Sequence, residues 1–90
     1  MVSPSIRYIV LDVLKPHNPS LPEFAIFLGE LAGVTKVDVT MVEMDDRTES
    51  LKVIIEGTAI KFDELKEHIE KQSATIHSVD QIIVEKTPKH

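Results

Sequence analysis

Ile6-Arg7-Tyr8-Ile9-Val10-Leu11-Asp12-Val13-Leu14 is the stretch on which the fold turns. Apolar and β-branched residues dominate it, which predicts a strand. Ile9, Leu11 and Val13 form one apolar face. Ile6, Tyr8, Val10 and Leu14 form a second, broken only by Asp12. A strand apolar on both sides belongs in the middle of a sheet, or turns its second face to another body. Lys15-Pro16-His17-Asn18-Pro19 then interrupts it, because proline removes a ladder donor and restricts the residue before it.

Downstream, Ser20-Leu21-Pro22-Glu23 reads as a capping box, with a Ser N-cap, a first-turn proline and Glu three residues on. Leu21, Phe24, Ala25, Leu28, Leu31 and Ala32 recur at helical spacing, and Gly33 is expected to end that helix in a left-handed conformation. Val34 to Met44 alternates, predicting a second strand with Val37, Val39 and Met41 on one side and Asp38, Thr40, Val42 and Met44 on the other. Asp45-Asp46-Arg47-Thr48-Glu49-Ser50 is a polar hairpin connection. Leu51 to Glu56 is a third strand closed by Gly57. Phe62, Leu65 and Ile69 mark a second helix with Asp63 and Glu64 in its first turn, Thr58 as a candidate cap, and a solvated face over Asp63 to Lys71. Ile76 to Glu85 is a fourth strand, in which Ile82-Ile83-Val84 breaks alternation and implies a bulge or burial on both faces.

The order βαββαβ predicts an α+β, ferredoxin-like two-layer sandwich over residues 1–90, a single domain with antiparallel sheet order 4-1-3-2 and both helices on one face. The expected core is Ile9, Leu11, Val13, Val37, Val39, Met41, Leu51, Val53 and Ile55 against Phe24, Leu28, Leu65 and Ile69. No third layer remains for the other face, where Tyr8, Val10, Val42, Met44 and Ile54 would form an apolar patch. Patches of more than a few hundred Å² usually mark association, so a homo-oligomer built through that face is expected.

Composition narrows the function classes. The 90 residues carry 10 basic and 15 acidic side chains and no cysteine. A net charge of −5 and only four aromatic rings argue against nucleic acid and anionic lipid as partners. Without thiols there is no disulfide framework, thiolate zinc site or thiol nucleophile. No apolar run approaches the roughly 20 residues that span a bilayer, and Met1 to Val10 lacks the features of a signal peptide. A soluble, cytoplasmic protein with no membrane partner is expected.

Two polar groups stand out. The sheet order gathers Asp12, Lys15, His17, His77 and Asp80 on one rim, as a candidate ligand-binding set. Asp12 needs a partner within an apolar strand, and a salt bridge to Lys15 or to a neighbouring subunit is the plainest answer. The start of the first helix, with Lys15, could hold an anion, or His17, His77 and Asp80 a transition metal. Glu43, Asp45, Asp46 and Glu49 on the hairpin are a candidate divalent cation set, competing with a simple solvated turn. No nucleophile elbow accompanies Ser50, Ser73 or Ser78, so no catalytic residue is assigned.

Leu11-Asp12-Val13-Leu14-Lys15-Pro16-His17, together with Val42-Glu43, Thr48-Glu49, Leu51-Lys52, Ile55-Glu56-Gly57 and Ile76-His77-Ser78-Val79-Asp80, resembles a small archaeal family known as domain of unknown function 211. The resemblance spans nearly the whole chain and implies a ferredoxin-like, assembling domain without an established activity. Ser73-Ala74 stands where that pattern has Gly-Gly. The reading that results is a non-enzymatic oligomeric domain binding a small ligand or divalent cation at subunit interfaces. The alternatives are a purely structural or protein-interaction subunit, and a metal-dependent or acid–base enzyme using Asp12, His17, His77 and Asp80.

Overall fold

The computed structural model describes residues 3–87. Strand β1 (Ser3–Pro16) leads into helix α1 (Leu21–Gly29), strands β2 (Val34–Met44) and β3 (Thr48–Ile60), helix α2 (Phe62–Glu70) and strand β4 (Thr75–Thr87). The result is a small α+β fold whose four strands form an antiparallel sheet. Its order, β2-β3-β1-β4, is the expected 4-1-3-2 read from the opposite edge. The doubly apolar β1 lies in the interior of the sheet, paired with β3 and β4.

Directly opposed residues of an antiparallel pair share a face. Ile9 faces Ile55 and Ile82, Leu11 faces Val53, and Val13 faces Leu51 and Ile76. These odd-numbered β1 residues join Phe24, Leu28, Leu65 and Ile69 in one core, with Val37, Val39 and Met41 packed against it. Both helices therefore cover the same side of the sheet, as the alternation predicts.

Element ends differ from the sequence reading. The capping box forms in full: Ser20 Oγ accepts from Glu23 N, and Glu23 Oε1 accepts from Ser20 N. Helix α1 nevertheless stops at Gly29, because Glu30 N and Leu31 N donate to carbonyls three residues back and tighten the last turn. Gly33 takes the expected left-handed conformation at φ +89°, outside the helix. Its carbonyl accepts from Thr58 N at 3.0 Å, and a Cβ on Gly57 would lie 2.0 Å from that oxygen. Gly57 therefore permits a close crossing instead of closing β3, which runs on to Ile60. Thr58 is thus a strand residue, and the N-cap of α2 is Lys61, with no side-chain cap bond.

Two further expectations are corrected. His68 is not part of a solvated helix face. It is half-buried, stacks on Phe27 with ring centroids 3.9 Å apart, and donates from Nε2 to the Phe27 carbonyl at 2.6 Å, tying α2 to α1. Met44 does not share a face with Val42. Met41 pairs with Leu51 and Met44 with Glu49, so β2 has one residue more than β3 in this interval. The extra residue shifts the alternation, and Met44 lies on the helix side of the sheet.

Candidate functional site

At the rim where β1 ends, parity separates the residues that sequence proximity groups. Lys15 continues the odd, helix-side face and Asp12 the even, open face. Lys15 is fully buried, and its Nζ lies 2.8 Å from Glu49 Oε1. The same ammonium donates to the carbonyls of Pro16, at 2.8 Å, and of Pro19, which follows a cis peptide bond. A buried ammonium is tolerated only with such compensation, and here two carbonyls accept from it while the Glu49 carboxylate supplies the counter-charge. The expected Lys15–Asp12 bridge is excluded because the sheet lies between them.

Glu49 completes the cluster. Its Oε2 lies 3.0 Å from Nδ1 of the half-exposed His17. The Lys15 hydrogen bond, followed by that of His17, holds the Glu49 carboxyl below the usual Glu range despite its burial. The bond to Glu49 chiefly raises His17, with the Asp46 and Asp45 backbone carbonyls adding to it. Lys15, Glu49 and His17 form a charged clasp joining the proline loop to the β2–β3 hairpin. Its charge is internally answered. At the start of α1, the Glu23 carboxylate occupies the position that an anion would need.

The hairpin carboxylates diverge. Asp45 Oδ1 accepts from Arg47 N at 2.9 Å, Thr48 N at 2.8 Å and Thr48 Oγ1 at 3.1 Å. Those bonds, the Thr48 backbone first, hold its carboxyl below the ordinary Asp range. Glu49 turns to Lys15, and Glu43 stands opposite Ser50 on the open face. Asp46 remains exposed at the tip. His77 and Asp80 are displaced from the β1–β4 register by bulges, with Ser78 Oγ donating to Asp80 Oδ1 at 2.8 Å. Among the described residues, no group of three or more His, Cys, Asp or Glu side chains converges on a common point.

The open face holds the second cluster. Asp12 stands directly opposite Lys52, and Asp80 joins them, with Val42, around a depression of about 240 Å³. Two members of the predicted ligand set, Asp12 and Asp80, therefore meet; Lys15, His17 and His77 do not join them. Lys52, which the sequence groups with the hairpin carboxylates Glu43, Asp45, Asp46 and Glu49, faces Asp12 instead, because the match of β3 to β1 depends on hairpin length. Glu49 was missed as a clasp residue for the same reason.

The profile of one family matches residues 7–87 of this chain. The chain belongs to the DUF211 family. That family is described as "Uncharacterized ArCR". This chain is similar to "Uncharacterized protein MJ0319" of Methanocaldococcus jannaschii, 46% identical over 81 residues, covering 90% of this chain and 84% of the relative. No helix among the described residues is long and apolar enough to cross a membrane.

Proposed function

We propose that this DUF211 chain is a non-enzymatic, self-assembling domain of ferredoxin-like arrangement. It associates through the sheet face opposite its helices and holds a small cationic ligand, a metal ion or an amine, between copies at Asp12 and Asp80. One observation carries the reading: both helices pack on the same side, and no layer among the described residues covers the face that carries Val42 and the half-buried Tyr8 and Ile54, Val10 alone being buried there at 6% exposure. Val42 is 66% exposed there, beside the depression bounded by Asp12, Lys52 and Asp80. The non-enzymatic reading is supported by the clasp, in which Lys15 and His17 are both paired with Glu49.

Sedimentation equilibrium tests the assembly. The expected species is a multiple of the 10.1 kDa chain, and Val42→Lys shifts it toward monomer. A wild-type monomer at all concentrations refutes it. Thermal shift with Mg²⁺, Ca²⁺ and alkylamines tests the ligand: saturation a hundredfold above Kd adds about 2.7 kcal/mol, lost in Asp12→Asn. An intact assembly with no stabilisation by any of them leaves a purely structural subunit.

A further inference from the structure

Strand β4 is an edge of the sheet, so one row of its backbone groups faces outward. Natural edges are usually blunted by bulges, charges or prolines. The first half of β4 has that protection, with bulges at His77 and Asp80. The second half, Gln81-Ile82-Ile83-Val84-Glu85, alternates without a break; it pairs with β1 from Val10 to Tyr8 and, past a register shift at Arg7 that turns Ile6 from the expected Tyr8 face to the helix side, at Ile6 and Ser5. Ile82, Ile83 and Val84 there remain 45%, 40% and 50% exposed. The exposure affects both faces. Ile82 opposes Ile9 and Val84 opposes Ile6 on the helix side, whereas Ile83 opposes Tyr8 on the other. Val84 borders an apolar cleft of about 350 Å³ with Pro4, Ile6 and Ile60, beside the start of α2.

We infer that residues 81–85 of β4 pair antiparallel with the same residues of a second copy, on a two-fold axis through Ile83. The sequence selects that partner and that register. Opposed residues must share a face, so a two-fold normal to the sheet can pass only through a residue, never between two. An axis at Ile82 sets Gln81 against Ile83 and Asp80 against Val84. An axis at Val84 sets Ile83 against Glu85 and Ile82 against Lys86. Only the axis at Ile83 matches every position: Ile83 meets itself, Ile82 meets Val84 twice, and the Gln81 amide meets the Glu85 carboxylate twice. The two sheets become one of eight strands, with all four helices on one side and the open face still free. This interface is separate from the one proposed above.

Cysteine cross-linking tests the axis directly, since the chain has no cysteine of its own. Opposed Cα atoms in an antiparallel pair lie about 4.5–5.5 Å apart, within the range a disulfide bridges. Ile83→Cys is therefore expected to oxidise to a covalent dimer, doubling the mass from 10.1 kDa. Gln81→Cys and Glu85→Cys place their equivalents about 14 Å apart across the axis and are expected to stay monomeric on denaturing gels. Combined in one chain, those two substitutions are expected to cross-link. Circular dichroism of each reduced variant checks the fold, and the 81/85 pair provides a second route if Ile83→Cys perturbs the edge. Equal cross-linking at all three single positions overturns the inference, as does none at Ile83 in a folded protein. Pairing of this edge only with an added foreign peptide overturns it too. Because Val42→Lys acts on the other face, failure of either interface is distinguishable from failure of the other.

Discussion

Ser73 adopts φ 62°, in the turn between α2 and β4, with its N–H donating to the Glu70 carbonyl at 3.0 Å. A left-handed backbone costs an L-residue roughly 1–2 kcal/mol, of which glycine recovers part after its larger unfolded-state entropy. Ser73→Gly is therefore expected to stabilise the protein by about 0.5–1 kcal/mol, read in urea denaturation as a higher midpoint at unchanged slope. The replacement of Gly-Gly by Ser73-Ala74 was visible in the sequence; that the chain keeps the glycine conformation without the glycine was not. At this scale parity held information that proximity concealed. Lys15 lies three positions after Asp12, an odd offset, so an unbroken strand must send them to opposite faces. The partner of Lys15 was not legible, because the hairpin register that brings Glu49 to it depends on distances along two strands at once.

The clasp links elements rather than residues, and its energetics follow from burial. Glu49→Gln leaves the Lys15 ammonium enclosed with its counter-charge gone, a change that costs about 3–5 kcal/mol. Replacing both partners, Lys15→Met with Glu49→Leu, is expected to recover most of that loss in chemical denaturation, since no charge is then left buried. A double mutant no more stable than Glu49→Gln would contradict this account. The pH response follows from the same contacts. His17 is raised by Glu49, so it stabilises the fold fully below about pH 6.5 and progressively less as pH rises through its folded value. Glu49, Asp45 and Glu23 are lowered, so their contribution is present above the ordinary carboxylate range and disappears on acidification. Stability is expected to peak between those limits, and His17→Asn should flatten the alkaline side of the profile measured by urea titration. The strands themselves were legible as elements. Their extensions were not, since β1 continues through Pro16, and β3 passes Gly57, on pairings that no local pattern announces.

On the scale of the whole molecule, the sheet outgrows its helices. Each helix has nine residues, about 14 Å of rise, against strands of 11 to 14 residues in a body 51 × 22 × 18 Å. The predicted core is found beneath the helices, and the exposed Ile82-Ile83-Val84 run lies on the edge strand beside it. The sequence break in alternation there implied a bulge or double burial. The register does shift opposite Ile83 and Val84, but the extra residue is Arg7 of β1; β4 itself bulges at His77 and Asp80, and the run keeps its own two-sided alternation on an edge. Topology was readable from the order of elements; the exposed edge run was not, because helix length and strand length are set by separate local signals.

The strand order also has a consequence for biosynthesis. Leu14 pairs with Thr75, so one flank of β1 stays open while some sixty residues emerge from the ribosome, several seconds at roughly 5–20 residues per second. During that interval the most apolar strand of the chain lacks one of its two neighbours. Final closure must therefore wait until β4 is released, and the nascent chain needs shielding from its neighbours on the same messenger until then.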